Sequence, residues 1–206
     1  MNVDLFASII IGYLFGCVQS AYLIGRIFGK LDIRDHGSGN AGASNITATM
    51  GWKYGIIVGL ADILKGLLAV LTIKGLFPGR QELAYLSGMM AVIGHIFPFF
   101  MKFRGGKGVA ALVGMMFGVD WKLGLLFVLL VAIPALLTDY IVAGSFTTFV
   151  ALPVVTHLRG LPGWFLVLSL LLAVLCFYLH RGNIQRIIKK EEVKISSVMK
   201  QKAPAN

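Results

Sequence analysis

Long apolar runs separated by short polar breaks dominate this chain. A helix needs about 20 apolar residues to cross the ~30 Å hydrocarbon core of a bilayer, and several of the runs approach that length. The pattern therefore predicts an all-α, polytopic membrane protein. The predicted spans are Asp4–Gly25, Tyr54–Ile73, Leu83–Phe100, Val109–Val119, Leu123–Leu137, Tyr140–Val155 and Leu161–Leu179.

The three runs between Val109 and Val155 are short for membrane spans, so their number is open. Counted separately they give seven transmembrane helices, and merged they give five. Their glycines and prolines favour tilted or irregular helices, which are tolerated where neighbouring helices cover the backbone. The first run lacks a basic start and a small-residue cleavage site, so we expect a retained span and not a signal peptide.

The distribution of basic residues predicts the orientation. With the N-terminus outside and the C-terminus cytoplasmic, fourteen lysines and arginines fall on the cytoplasmic side and four on the other. This asymmetry follows the positive-inside rule for seven spans and for five. We expect one transmembrane domain over residues 1–190 and a short cytoplasmic tail over residues 191–206. The longest polar stretches then all face the cytoplasm.

Composition narrows the class further. Hydrophobic residues make up 57% of the 206 positions and charged residues 14%, which excludes a soluble domain. The net charge of +10 could indicate nucleic acid, but the basic residues cluster at helix ends, as membrane topology requires. Cys17 and Cys176 lie in separate apolar runs, and we interpret both as packing residues. The sequence shows no metal-ligand cluster, so we expect no metal and no cofactor.

The first polar stretch with candidate chemistry is GSGNAGASN, residues 37–45. Glycines, hydroxyls and amides in this pattern can surround a phosphate with backbone N–H groups and short side chains. The same composition is typical of a flexible turn, and the stretch alone leaves both interpretations open. Its candidate ligands are Gly37, Ser38, Asn40, Ser44 and Asn45.

The second stretch is GHIFPFFMKFRGGKGVA, residues 94–110, an apolar helix that breaks into a basic glycine-rich turn. Glycines allow backbone N–H groups to face an oxyanion, and a lysine supplies the charge. The candidate anion ligands are Arg104, Gly105, Gly106 and Lys107. The alternative is that these basic residues only follow the positive-inside rule and lie on an ordinary tight turn.

Two polar features lie inside the apolar runs. His95 falls within the third span, where a buried polar group is often functional, although a histidine bonded between helices explains it equally well. Asp62 and Lys65 have i, i+3 spacing in the second span and are predicted to form a pair.

The third stretch, HRGNIQR, follows the last span directly. His180 and Asn183 have i, i+3 spacing, and Arg186 lies one turn further along the same helical face. A histidine, an amide and an arginine on one interfacial face could bind a phosphoryl head group. A basic belt that anchors the protein to anionic lipid is the alternative.

Together these stretches resemble the acyl-phosphate:glycerol-3-phosphate acyltransferase family of bacterial membranes. The family pattern GSGNxGAxN matches Gly37–Asn45, GHxFPxFxxFxGGKGVA matches Gly94–Ala110, and HRxNIxR matches His180–Arg186. Glu192 fits the glutamate that trails the third motif, and Asp62–Gly66 fits a further Asp-x-x-Lys-Gly pattern. The resemblance covers nearly the whole chain in order and spacing.

The resemblance implies seven transmembrane helices in the inner cell membrane, with the active site on the cytoplasmic face. It implies transfer of an acyl chain from acyl phosphate to the 1-hydroxyl of glycerol 3-phosphate, giving lysophosphatidic acid and phosphate, without acyl-CoA. The expected partners are these two substrates and membrane lipid. Carried over, the catalytic residues are Ser38, Lys107, His180 and Asn183. The substrate-binding residues are Gly37, Asn40, Ser44, Asn45, His95, Arg104, Gly105, Gly106 and Arg186.

We expect His180 and Lys107 to stabilise the leaving phosphate and the developing oxyanion. As the resemblance implies, the phosphate of the donor itself accepts the proton of the hydroxyl group, so that no protein base is required.

The chain departs from the family pattern at Ala48, where an arginine is usual. A substrate phosphate would lose a charge-assisted hydrogen bond worth ~1.5–3 kcal/mol unless Lys53 or Arg34 replaces it. A relative with an altered acceptor is therefore one alternative. A transporter or flippase for a phosphorylated molecule, and a lipid-binding scaffold, are the others, although we find no internal repeat of the kind common in transporters.

Overall fold

The computed structural model describes residues 3–200, with side chains described for residues 3–197. Within residues 3–200 every regular element is helical, which confirms the all-α prediction for that part of the chain. Short 3₁₀ turns lie at Ile33–Asp35 and Phe99–Met101. The helices are α1 (Val3–Cys17), α2 (Ser20–Phe28), α3 (Ala43–Met50), α4 (Trp52–Leu76), α5 (Gln81–Ile96), α6 (Val109–Val119), α7 (Trp121–Thr138), α8 (Ile141–Leu158), α9 (Gly163–Leu179), α10 (Arg181–Ile188) and α11 (Ile195–Lys200).

Five segments among the described residues are long and apolar enough to cross a membrane. They are α1 with α2, α4, α5 with the turn that follows it, α7 and α8. The α9–α10 pair, bent by 43°, would be a sixth. The chain is therefore a multi-pass membrane protein.

The short runs that left the count open form three separate helices. Asp120 has extended backbone between α6 and α7, and Asp139 has a φ of 64° between α7 and α8. Both α7 and α8 have 18 residues, longer than the sequence pattern predicted, whereas α6 has only 11. Merging the three runs into a single span does not match these breaks.

The first compact unit of the chain ends at Leu126, and close helix contacts hold it together. A Cβ added at Gly12 or Gly16 would collide with the backbone of Ser87 or Ala91, so α1 and α5 pack in parallel with their backbones nearly touching. Small residues allow this approach where apolar packing alone gives little driving force between membrane helices.

The short helix α6 lies beside the second half of α4. Gly66 faces the backbone of Ala111, near the start of α6, and Lys74 donates a hydrogen bond to Val119 O at the end of α6 (2.9 Å). At 1.5 Å per residue, Gly66 lies about 20 Å from the first residue of α4. The turn that precedes α6 is therefore recessed to the middle of α4, which explains how a helix of 11 residues reaches the far end.

The second compact unit begins at Phe127 and contains the third polar stretch. The rings of Phe146 in α8 and Phe177 in α9 are stacked 4.6 Å apart. Asp139 accepts hydrogen bonds from Ser196 N (2.8 Å) and Ser196 Oγ (2.6 Å), which holds α11 against the α7–α8 turn. α10 ends at Ile188, and the chain folds back onto it through hydrogen bonds to Arg186 O.

Candidate active site

Asn45 holds the first glycine-rich loop in shape. Its Oδ1 accepts a hydrogen bond from Ser38 N (2.9 Å), and its Nδ2 lies 2.9–3.0 Å from the carbonyl oxygens of Ile33, His36 and Asn40. The Asn45 residue is only 2% exposed, so these contacts occupy its side chain completely. We therefore expect Asn45 to support substrate binding by fixing the loop.

The hydrogen bonds of Asn45 leave two serines on the outer surface of this loop. The side chains of Ser38 and Ser44 are exposed, and Asn40 is half-buried. Gly37 has a φ of +55°, and a Cβ there would collide with Asn45 Oδ1, so the loop requires glycine at this position. Ser38 and Ser44 are thus the hydroxyls of this loop that a phosphate can reach.

An ionic cluster ties this loop to the end of α2 and to the turn after α5. Arg34 donates hydrogen bonds to both carboxylate oxygens of Asp32 (3.0 and 2.7 Å) and to Met101 O (3.2 Å). Arg26 contacts the same carboxylate at 3.1 Å. The hydrogen bonds from Arg34 lower the pKa of Asp32 from its ordinary value of 3.8 to about 2.

We expect this cluster to make the loop acid-sensitive. Because the folded-state pKa of Asp32 lies below its ordinary value, its ionisation stabilises the fold above about pH 4, and that stabilisation is lost as the pH falls towards 2. Wild-type unfolding temperature in detergent should therefore fall more steeply over this window than that of Asp32→Asn. Parallel curves for the two proteins would contradict the assignment.

The glycine-rich turn after α5 lies against the first loop. Gly105 N–H donates to Ile96 O (3.1 Å), Gly106 N–H donates to His95 O (3.0 Å), and Ala41 N–H donates to Gly105 O (3.3 Å). The two glycine amides are thus committed to the end of α5 and to shaping the turn. Substrate binding by Gly105 and Gly106 stays a prediction.

Lys107 and the start of α6 are the features of this turn best suited to an anion. Gly108 has a φ of +87° and precedes the first residue of α6, whose first N–H groups have no partner within the helix. Arg104 is exposed and Lys107 is half-buried. Positive charge and the positive end of the helix dipole therefore occur together at this point.

A buried polar cluster lies directly under the turn. The predicted pair of Asp62 and Lys65 is confirmed at 2.9 Å, and both residues are less than 5% exposed. Lys65 Nζ also lies 2.7 Å from His95 Nδ1, and Ser20 Oγ donates to Asp62 Oδ1 (3.0 Å). His95 is thus hydrogen-bonded between helices, one of the two alternatives that the sequence left open.

The third polar stretch, in the second unit, is built around a glutamate. Asn183 Nδ2 donates to Glu192 Oε1 (2.5 Å), and Arg186 Nε donates to Glu192 Oε2 (2.7 Å). This confirms that Asn183 and Arg186 share one face of α10. The predicted set of site residues omitted Glu192, although its place after the third motif was the available signal.

The hydrogen bond to Cys176 O defines the proton position on His180. His180 Nδ1 lies 2.8 Å from that carbonyl oxygen, which can only accept, so Nδ1 carries a hydrogen. In the neutral ring Nε2 is then an acceptor, and it donates only when the ring is protonated. The residue is 3% exposed, and its ring meets Phe146 edge-on at 5.5 Å.

The position of the missing arginine is accessible. Ala48 and Ser44 are both exposed and lie four residues apart on α3, so they share a face of that helix. The guanidinium of Arg34 is held by Asp32 and Met101, and we therefore do not expect it to replace the arginine. Lys53 is exposed at the start of α4 and remains the candidate substitute.

The fold and these polar stretches define the class as a multi-pass helical membrane protein with glycine-rich polar loops. The family model described as glycerol-3-phosphate acyltransferase matches residues 6–190. A glycerol-3-phosphate acyltransferase 1 of Oceanobacillus iheyensis is 39% identical over 94% of this chain and 96% of its own length. A glycerol-3-phosphate acyltransferase of Thermoanaerobacter pseudethanolicus is 39% identical over 90% of this chain and 93% of its own.

Solved structures agree with the sequence comparison. PlsY, described as an integral membrane glycerol 3-phosphate acyltransferase, superposes in its glycerol 3-phosphate form with a TM-score of 0.83 and 32% identity. That match covers 97% of this chain and all of the PlsY chain. The lysophosphatidic acid form gives a TM-score of 0.79 at 31% identity. The chain belongs to the glycerol-3-phosphate acyltransferase family.

Proposed function

We propose that this protein transfers an acyl chain from acyl phosphate to the 1-hydroxyl of glycerol 3-phosphate, giving lysophosphatidic acid and inorganic phosphate. The observation that carries the proposal is similarity over nearly the whole chain to an acyltransferase solved in glycerol 3-phosphate and lysophosphatidic acid forms. The exposed hydroxyls of Ser38 and Ser44 and the charge of Lys107 suit a phosphorylated substrate.

The reaction needs charge stabilisation and orientation more than bond-making groups on the protein. Acyl phosphate is a mixed anhydride with a good leaving group. The substrate hydroxyl oxygen bonds to the acyl carbon, the bond from that carbon to the phosphate oxygen breaks, and the hydroxyl proton passes to the phosphate of the donor. Lys107 stabilises the phosphate charge as it leaves, and no cofactor takes part in this scheme.

His180 and Asn183 take part in the same reaction in this proposal. The sequence suggested that His180 stabilises the leaving phosphate, a role that requires Nε2–H and therefore a protonated ring. The bond from Nδ1–H to Cys176 O favours another role, in which the neutral ring accepts the hydrogen bond of the substrate hydroxyl and aims its oxygen. Glu192 fixes Asn183 for its contact with substrate.

We further propose seven spans, with the N-terminus outside and the active site on the cytoplasmic face of the inner cell membrane. The recessed turn supports this count, because it allows the short α6 to complete a crossing beside α4. Single cysteines introduced into the loops of a cysteine-free variant, labelled with a membrane-impermeant maleimide, would test it. We expect a cysteine in place of Lys122 to be labelled from outside, and a cysteine in place of Lys102 to be labelled from inside. Both positions labelled from one side would exclude a crossing by α6.

Residues 1–190 remain our proposed acyltransferase domain, with residues 191–206 as a cytoplasmic tail. The contacts of Glu192 and Ser196 with the rest of the second unit suggest that the first part of this tail braces the domain.

The decisive experiment is acyl transfer by purified protein in proteoliposomes. Acyl phosphate and labelled glycerol 3-phosphate should give lysophosphatidic acid, and acyl-CoA in place of acyl phosphate should give none. A folded protein that accumulates glycerol 3-phosphate inside sealed vesicles without forming product would instead be a transporter. One that binds glycerol 3-phosphate but acylates another acceptor would be the altered relative that Ala48 suggests.

Restoring the usual arginine should strengthen acceptor binding. Ala48→Arg places a guanidinium beside Ser44, and a charge-assisted hydrogen bond of ~1.5–3 kcal/mol would lower the KM for glycerol 3-phosphate about 10–100-fold. Ala48→Met, which adds length without charge, is the matched control and should leave the KM unchanged. If both variants behave like the wild type, another cation already fills this role, and Lys53→Met would then raise the KM.

A further inference from the structure

The Lys65 ammonium has as many close acceptors as it has N–H bonds. Its Nζ lies 2.6 Å from Val18 O, 2.9 Å from Asp62 Oδ1 and 2.7 Å from His95 Nδ1. A charged lysine has three hydrogens and no lone pair, so it can only donate to all three. His95 Nδ1 must then be the acceptor, and the hydrogen of the neutral ring must lie on Nε2.

Asp62 keeps the lysine in this donating state. Its Oδ1 accepts from both Lys65 and Ser20 but lies 3.7 Å from His95 Nδ1, too far for a hydrogen bond. The carboxylate thus balances the buried ammonium and leaves the imidazole to Lys65. A buried charge is retained only where such a partner offsets its desolvation.

The opposite edge of the His95 ring faces the glycine-rich turn. A Cβ added at Gly106 would collide with His95 Nε2, which places this nitrogen directly against the turn next to Lys107. The backbone of the same residue is also fixed, because His95 O accepts from Gly106 N–H (3.0 Å) and from Gln19 Nε2 (3.1 Å). Both the ring and the carbonyl of His95 therefore support the turn.

We propose that Lys65 and Asp62 are positioning residues, which fix His95 as the Nε2–H tautomer and present that N–H group at the Gly106–Lys107 turn as a donor to the bound phosphate. This inference rests on the proposed function for the identity of the ligand. The buried pair of Asp62 and Lys65 would then orient His95 in addition to neutralising each other's charge. The inference also gives the two buried histidines opposite tautomers, since the neutral His95 ring carries its hydrogen on Nε2 whereas the neutral His180 ring carries it on Nδ1.

The proton position can be read directly in the wild-type protein. The chain has four histidines, so ¹⁵N-histidine labelling and a His95→Gln reference assign the His95 signals. A hydrogen on Nε2 and a bare Nδ1 are expected. A hydrogen on Nδ1 would mean that Lys65 accepts as a neutral amine, and it would overturn the proposal whatever reaction the protein performs.

Kinetics then separate positioning from simple packing. Lys65→Met alone leaves Asp62 buried and unpaired, so the informative variant is Asp62→Leu with Lys65→Met, which removes both charges at similar volume. We expect its unfolding temperature to stay near that of the wild type. Its kcat/KM for glycerol 3-phosphate should fall ~10–100-fold, the usual effect of losing a partner that orients a binding side chain. Unchanged kinetic constants in this folded variant would overturn the proposal.

A non-additivity test shows whether the pair acts through His95. The triple variant, made by adding His95→Gln to the double variant, should be as active as His95→Gln alone. Once the His95 ring is absent, Lys65 and Asp62 have no side chain to orient. Additive losses would contradict this route. Lys74→Met is the matched control, since it removes another lysine of α4 that donates to a backbone carbonyl, Val119 O. It should leave the His95 tautomer and the KM unchanged.

Failure of the proposed function would look different. Wild-type protein that forms no lysophosphatidic acid would exclude the acyltransferase assignment, yet the NMR result would still decide the tautomer. Calorimetric binding of glycerol 3-phosphate to the wild type and the double variant would then replace the kinetic comparison, with a ~10–100-fold weaker Kd expected for the variant.

Discussion

Replacing Lys107 with methionine is expected to reduce kcat/KM for glycerol 3-phosphate by ~10²–10³-fold, the effect of removing one preorganised charge from a transition state. Lys107 lies between a turn whose amides are committed to α5 and the positive end of α6. Because the amides of Gly105 and Gly106 already donate to carbonyl oxygens of α5, we expect Lys107 to supply much of the positive potential at this turn. Initial rates at varied substrate concentrations, with protein in proteoliposomes, would measure the loss.

Two comparisons make this result specific to Lys107. Lys107→Arg keeps the charge with a different geometry and should recover part of the activity. Lys102→Met removes an exposed lysine from the same connection, so it tests the overall charge of that connection, and it should change the rate less than about threefold. Equal losses for Lys102→Met and Lys107→Met would show that the connection attracts anions only through its overall charge.

Much of the architecture could be predicted from hydrophobicity because a bilayer restricts the chain so strongly. Apolar runs had to be helices, since backbone groups in hydrocarbon must pair within their own segment. The pairing of Asp62 with Lys65 followed from i, i+3 spacing and from the cost of an unpaired buried charge. Neither inference required knowledge of tertiary contacts.

The errors came from features that only tertiary contacts determine. A length criterion assumes that each span starts at the membrane surface, but α6 starts beside Gly66 in the middle of α4. Hydrogen bonds from Glu191 N–H and Glu192 N–H to Arg186 O likewise reverse the chain just after α10. Such contacts join residues whose local sequence gives no sign of them.

The candidate site shows the same division. Residue types identified the phosphate-suited stretches, and they correctly grouped Asn183 with Arg186 on one helical face. They did not show which groups are already occupied. Asn45 and the amides of Gly105 and Gly106 look like ligands in the sequence, but in the fold their hydrogen bonds hold the loops in place.

Gly106→Ala is expected to damage the candidate site strongly, although it adds only one methyl group. The added Cβ would collide with His95 Nε2 and would lie 3.0 Å from Ala41 O, so it pushes apart the buried cluster, the turn and the first loop. Displacing catalytic groups by about 1 Å can cost ~10²-fold in rate. We therefore expect kcat/KM to fall by at least about 10²-fold and the unfolding temperature to drop.

Gly59→Ala provides the matched control for this change. A Cβ at Gly59 would meet only Ala43 Cβ, at 3.9 Å, and alanine is the better helix former, so activity should persist and stability should not decrease. The pattern of loss also matters. Because the turn holds Lys107 beside the first loop, Gly106→Ala should raise the KM for glycerol 3-phosphate as well as lower kcat. Wild-type constants in Gly106→Ala would mean that the turn moves freely from His95, and the buried cluster could not then position it.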